Sequence, residues 1–355
     1  MHVLGRTCPI AMKRILTYTL LLLSLHLYSH AMEGEGSQEN PFLIDSLDDF
    51  LQFRDTVNNG FQNACALLRT DIDLSSVCYG DEEKEEYQHW LPIGEGNSGQ
   101  TYEGCFDGQG HIIRNPYVHS STENFRGLFG STHKATIRNV GVENAHIHGG
   151  YYIGGLIGKG DSSLIENCYT RGDIYGYFVS GIIGNASNCT LRNCYSRCST
   201  KGNYHSALIG YATQTTAENC LFDSQIVNNG VGFGEVTTLA MKREQFRNGT
   251  VCQKLNDFIT SQDNDALIHW EQDTDSLPSF SKNANGLKQI HQEGGLPIYV
   301  QGHHIFLQTN QEIPLTIYNS RGAIVRRGIG GQNRDLGYFP TGIYIINGKK
   351  IIVTD

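Results

Sequence analysis

The sequence predicts an all-β protein: a right-handed parallel β-helix (a β-solenoid) with short helical caps, followed by a small β-sandwich-like domain. Three observations carry this reading. Two unrelated short motifs recur through the middle of the chain at the same offsets. Between them lie short runs of apolar and β-prone residues punctuated by Gly, Ser and Asn, with no helical period. Residues 296–355 then change to longer apolar runs separated by turn signals.

Composition bounds the answer. The chain has 355 residues, 41 glycines, 18% charged residues and a formal net charge of −9. Low charge together with 39% hydrophobic residues excludes a disordered chain. Glycine without a Gly-X-Y period excludes collagen. The acidic balance argues against gripping nucleic-acid phosphates, so no nucleic-acid partner is expected.

Residues 1–31 read as a secretory signal peptide. Lys13 and Arg14 precede an apolar run from Ile15 to Leu27, and Ser29-His30-Ala31 supplies small residues at a cleavage site. The run is shorter than the roughly 20 residues of a membrane span. No later segment qualifies, so no transmembrane segment is expected in the mature chain. The expected location is secreted or outer cell surface.

Residues 101–234 carry the repeat. Gly127-Leu128-Phe129-Gly130 returns as Gly155-Leu156-Ile157-Gly158, Gly181-Ile182-Ile183-Gly184 and Ala207-Leu208-Ile209-Gly210. Ile137-Arg138-Asn139-Val140 returns as Ile165-Glu166-Asn167-Cys168, Leu191-Arg192-Asn193-Cys194 and Ala217-Glu218-Asn219-Cys220. A unit of this length with about three short strands is one coil of a parallel β-helix, stacked on the next at about 4.8 Å. Equivalent residues then form columns. Ile137, Ile165, Leu191 and Ala217 are one inward stack. Val140, Cys168, Cys194 and Cys220 are another. Between them Asn139, Asn167, Asn193 and Asn219 form a structural ladder, since Asn tolerates left-handed geometry and its amide can bond the next coil.

Two outward columns carry alternating charge: Arg138, Glu166, Arg192, Glu218, and Glu143, Arg171, Arg197, Asp223. Tyr152, Phe178 and Tyr204 form an aromatic column, as do Tyr169 and Tyr195. These rings are read either as surface stacking along the coils or as a sugar-binding platform.

The cysteine column follows the same logic. In-register neighbours on parallel strands point their Cβ atoms the same way, which disfavours a disulfide. Free Cys packs as a small hydrophobe. Cys168, Cys194 and Cys220 are therefore expected as buried thiols. Cys189 and Cys198 lie off the column, where pairing is open to them. Spacing leaves Cys65, Cys78, Cys105 and Cys252 undecided.

The flanks are expected to protect the open ends, whose strand edges invite aggregation. Residues 32–100 form an N-terminal cap and first coil. Within them Ser46 is an N-cap for an amphipathic helix ending near Val57, with Leu47, Phe50 and Leu51 on one face. Residues 235–295 are expected to cap the other end, with helices over Met241 to Phe246 and Val251 to Ile259.

The Gly-(Leu/Ile)-hydrophobic-Gly segments resemble the GLUG motif of secreted bacterial surface proteins. The upstream stretches Asn40-Pro41-Phe42-Leu43-Ile44, Trp90-Leu91-Pro92-Ile93-Gly94 and Tyr102 to Ile113 fit that resemblance, which covers about residues 38–235. The last repeat departs, with Ala207 in place of the first glycine. Ile317 to Gly322 and Gly342 to Ile346 resemble the C-terminal sorting domain that directs Bacteroidetes proteins through type IX secretion. That resemblance implies type IX-like secretion machinery as a partner of residues 296–355.

No catalytic residue, metal ligand set or cofactor is expected. Acids and bases alternate along the columns instead of clustering as glycoside hydrolysis needs. Asp71, Asp73, Asp107, Asp161 and Asp173 read as loop residues. His146 and His148 share a face, but a third metal ligand is not evident. The expected function is non-catalytic binding of a glycan or a host extracellular protein, with Tyr152, Phe178, Tyr204, Tyr169 and Tyr195 as candidate contacts. The alternative is a polysaccharide-active lyase or hydrolase whose site is built from inter-coil loops.

Overall fold

The computed structural model describes residues 32–81, 86–95, 99–262, 264, 266–272 and 276–281, and strand segments between 298 and 353. The expected signal peptide lies outside the described residues.

Residues 42–241 wind into a parallel β-solenoid of about seven coils with three faces. The first face has seven strands in sequence order, from Phe42–Ile44 and Ala66–Leu68 to Thr216–Glu218. The second has nine, its longest being Tyr169–Ser180 and Tyr195–Ser206. The third has five, from Phe129–His133 to Val231–Phe233. The repeats stack in register: Ile137 opposes Ile165, which opposes Leu191, which opposes Ala217. Ile137, Ile165, Leu191 and the column Val140, Cys168, Cys194 and Cys220 are buried in the core.

The asparagine ladder forms as the spacing predicts. Asn139, Asn167, Asn193 and Asn219 have φ of 53°, 54°, 52° and 48°. Each amide donates to the side-chain oxygen one coil earlier, at 2.8 Å from Asn167 to Asn139 and from Asn193 to Asn167, and 2.7 Å from Asn219 to Asn193. Asp107 heads the ladder by accepting from Asn139 at 2.9 Å. The same carboxylate accepts from Arg138 at 2.8 Å and from the backbone of Gln109.

The repeated glycines have a steric reason. A Cβ on Gly158 would sit 2.3 Å from the backbone of Phe125, and one on Gly184 would sit 2.4 Å from that of Tyr152. In these two motifs the second glycine thus lets one coil pass against the aromatic corner of the preceding coil.

At the N-terminal end α1 (Leu47–Asn58) closes the core. Ser46 caps it by accepting from the Asp49 N–H at 3.1 Å, and Phe50, Phe53 and Val57 are buried. A disulfide joins Cys65 to Cys105, which the sequence left undecided. Ala66 pairs with Phe106, so these two cysteines are in-register neighbours on adjacent coils. Their Cα atoms are 4.4 Å apart. This corrects the general argument against in-register pairing: at the start of a strand the backbones approach closely enough to bridge. Inside the column, Cys168, Cys194 and Cys220 are free thiols, and Cys189 and Cys198 are buried and free as well.

The segment after the last coil departs from expectation. It contains α2 (Arg243–Arg247) and α3 (Thr250–Gln262), close to where helices were expected. Its described residues do not lie across the open end. It runs back along the outside of the solenoid as a strap. Asn193 and Asn219 donate from the ladder to the carbonyls of Leu255 and Lys254 in α3. Asn167 and Asn139 donate to those of Ile268 and Ala266. Each ladder amide has two N–H groups, and the one not used along the column needs a partner. The strap supplies it.

Beyond the strap, the C-terminal strands form two antiparallel sheets. One pairs Ile298–Gln301, His304–Leu307 and Arg334–Tyr338, and the other Ile324–Gly330, Ile313–Asn319, Gly342–Ile346 and Lys349–Val353. They share one apolar cluster that includes Ile305, Leu307, Ile317 and Ile346.

Burial pushes the thiols of Cys78, Cys189 and Cys198 up to about 11, and those of Cys194 and Cys220 well above the usual range. Thiolate is the reactive form. Alkylation of the native protein is therefore expected to leave these cysteines unlabelled. Alkylation in denaturant without reductant should label them and leave only the Cys65–Cys105 peptides linked, as read by mass spectrometry. A second linked pair among them would refute the assignment.

Candidate functional site: an aromatic outer face

The two aromatic columns foreseen in the sequence have different fates. Tyr169 and Tyr195 stack at 5.0 Å and 8°. Both are fully buried, because Trp270 and Phe280 of the strap lie against them. Arg171 sits over the Tyr169 ring at 4.7 Å and donates to the Tyr195 hydroxyl. Tyr169 donates to Glu143 at 2.8 Å, and Tyr195 donates to the Pro278 carbonyl. Burial pushes the Tyr195 phenol up to about 12. These two tyrosines hold the strap, and their rings offer no surface to a ligand.

The same packing resolves the adjacent arginines in the outward column. Arg171 pairs with Glu143 at 2.8 Å, and Arg197 with Asp223 at 2.8 Å. Each faces an acid on the opposite side, so the like-charged neighbours do not depend on each other.

The second column stays at the surface. Phe125, Tyr152, Phe178 and Tyr204 stack along four successive coils, with centroid separations of 5.9, 5.4 and 4.7 Å and interplanar angles of 5°, 14° and 13°. Parallel stacking along the axis uses the faces and turns the edges outward. Phe125 and Tyr152 hold φ of 55° and 61°, a costly conformation for bulky residues. The predicted contacts Tyr152 and Phe178 thus act chiefly as a corner post. Tyr204, the last ring of the stack, is 41% exposed.

The rings whose planes turn away from this stack belong to the residues just before it. Tyr177 is inclined 74° to Phe178, and Tyr151 is inclined 59° to Tyr152. Tyr151 and Tyr177 lie on adjacent coils with centroids 4.7 Å apart and planes 38° apart. Tyr204 follows at 5.4 Å from Tyr177. Tyr151 is 49% exposed. Sequence reasoning missed this pair. The signal was the doublet, Tyr151-Tyr152 and Tyr177-Phe178, at the repeat spacing.

A neighbouring column on the same face runs His119, His148, Tyr175, Lys201. Tyr175 is 50% exposed and meets His148 edge-on at 4.5 Å. His148 meets His119 at 5.2 Å, and burial with the charges of His119 and His146 lowers its pKa. Among the described residues no three His, Cys, Asp or Glu converge as a metal site.

Asp107 and Asp173 lie on strands and not in loops as expected, and Asp71, Asp73 and Asp161 are tied into the fold. Burial raises the Asp71 pKa, but hydrogen bonds from His111, the Ile112 N–H and Arg114 outweigh it and hold the carboxyl well below its usual range. Asp73 accepts from Asn115 at 2.7 Å, and Asp161 contacts His133 at 3.0 Å. Asp173 is exposed beside Tyr175.

The chain is similar to parts of several known proteins. The chain is 32% identical to Halomucin of Haloquadratum walsbyi over 145 residues, which are 40% of this chain and 2% of that protein. It is 30% identical over 115 residues to a "Putative Gly-rich membrane protein" of Evansella cellulosilytica, covering 32% of this chain and 12% of that protein. The chain therefore spans a small part of either relative. A solved structure of "a putative immunoglobulin A1 protease from Bacteroides ovatus" superposes with a TM-score of 0.40 at 17% identity, over 70% of this chain and 94% of that one. Residues 149–175, which hold Tyr151, Tyr152, the Gly155-Leu156-Ile157-Gly158 segment and Asn167, match the family model described as the GLUG motif.

Proposed function

We propose that this chain is a secreted or cell-surface, non-catalytic β-helix protein that binds a glycan on the outer aromatic face of its solenoid. The single observation that carries the reading is the Tyr151–Tyr177 pair. Its planes turn out of the corner stack on a rigid scaffold. Sugars dock through C–H groups against aromatic faces, and aromatic side chains combine an apolar body with a polar tip. The signal-like residues 1–31 support export. Among the described residues no helix is long and apolar enough to cross a membrane. Residues 296–355, by their resemblance to sorting domains, would engage type IX-like secretion machinery.

The test uses the purified chain against a panel of bacterial and host polysaccharides, reading retention and new reducing or unsaturated ends together. Retention without product is expected. Tyr177→Ala should weaken retention by about tenfold or more, the usual effect of truncating a central aromatic contact. Thr216→Ala, on the exposed last strand of the first face, should not change it. Product formation above heat-killed controls would establish the lyase or hydrolase reading instead. Retention only by a host extracellular protein would replace the glycan.

A further inference from the structure

We infer that the ligand is an uncharged, extended linear polysaccharide laid along the solenoid axis at one sugar per coil. This rests on the glycan reading above and narrows it to a chain geometry and a charge class.

The spacing argues first. Tyr151 and Tyr177 lie on successive coils with ring centroids 4.7 Å apart, and Tyr204, the last ring of the corner stack and in register with Phe178, follows one coil on at 5.4 Å from Tyr177. That follows the strand repeat of about 4.8 Å. A pyranose in an extended β-linked chain advances by nearly the same length, so its sugars stay in step with the rings. A coiled α-linked chain curves away after one contact. Rigidity matters equally. Tyr177 and Tyr204 sit on strands, and Tyr151 is anchored at a bend by its N–H donating to Asn124 at 2.7 Å, so a chain that matches them loses little further order on binding.

The charge of the face argues second. Lys201 stands in the column of Tyr175, one coil on. Asp173 stands two residues before Tyr175 on its strand, as the diagonal neighbour of Lys201. The two charges offset each other within one strand step. Burial and the charges of His119 and His146 lower the pKa of His148, on the other side of Tyr175. Such a face provides hydrogen-bond donors and acceptors for hydroxyl groups without net attraction for an acid or a base. A uronate or sulfate chain would meet Asp173 as well as Lys201 and gain nothing from the exchange.

The test titrates the full chain with oligosaccharides of increasing length from the cello-, manno- and chito-series and from the malto-series. One extended series should bind with affinity that climbs with each added sugar and levels at about three units, once the three tyrosine coils are covered. The malto-series should be weaker by roughly tenfold or more. High salt and Lys201→Gln should change the extended-series affinity by less than about twofold. Tyr151→Ala should move the plateau to shorter chains. Tyr151 is half exposed, so the variant keeps its fold, which circular dichroism checks. Full affinity for a monosaccharide, preference for the malto-series, or salt-sensitive binding of acidic chains would overturn this inference. If those signals still depended on Tyr177, the broader glycan reading would stand. Absence of binding by every glycan would overturn both.

Discussion

Asn167→Ala is expected to lower stability by about 4–6 kcal/mol, beyond the roughly 0.5–3 kcal/mol of most point substitutions. Three costs add. The residue sits at φ 54°, where alanine loses about 1–2 kcal/mol. Two strap groups lose partners: the Trp270 indole N–H, which donates to Asn167 Oδ1 at 2.8 Å, and the Ile268 carbonyl, which accepts from its Nδ2 at 2.9 Å. Each stranded polar group costs about 1–3 kcal/mol when buried. The ladder also breaks between Asn139 and Asn193. The Asn139 Oδ1 still accepts from the Ile268 N–H, and the Asn193 Nδ2 still donates to the Leu255 carbonyl, which limits the damage. Asn167→Gly should recover the backbone part, about 1–2 kcal/mol, and none of the hydrogen bonds. Urea unfolding of the three proteins checks the order. Equal midpoints for Ala and Gly would show that the left-handed backbone is not strained in alanine. A loss under about 1 kcal/mol would show that the ladder and the strap are not coupled.

The ladder was legible in the sequence because its signal is local and periodic. Asn at a fixed offset between two apolar columns specifies a corner, and the structure places four of them at left-handed φ. The strap was not legible. Its helices show in the apolar spacing of Val251, Leu255, Phe258 and Ile259, but periodicity says nothing about which surface such a face will cover. The spare amide N–H groups of the ladder and the tyrosine column are long-range partners, separated from it by up to 127 residues. For the same reason Tyr169 and Tyr195 read from sequence as a surface pair. The candidate site failed in a subtler way. A column of aromatics at coil spacing foretells stacking, but stacking consumes ring faces. The rings whose planes leave the stack belong to Tyr151 and Tyr177, and only ring orientation reveals this.

Breaking the Cys65–Cys105 disulfide is expected to cost the N-terminal end about 2–4 kcal/mol. The bond closes 40 residues of sequence, a loop for which chain entropy alone predicts about 4 kcal/mol. It joins the strand after α1 to the next strand of the first face, and so ties the cap to the coils it protects. Solenoids respond locally, since each coil touches only its neighbours. The loss should therefore appear as exchange of backbone amides in residues 42–107 while those of 136–218 stay protected. The strap supports this separation, because it contacts the coils from Asn139 onward and the head of the ladder, and does not replace the bond at Cys65. Hydrogen exchange on the Cys65→Ser, Cys105→Ser protein measures the prediction directly. Unchanged protection in residues 42–107 would show that α1 and its buried Phe50 and Phe53 hold the end unaided. Loss of protection through all the coils would show that the solenoid unfolds as one unit and that the N-terminal cap governs its stability as a whole.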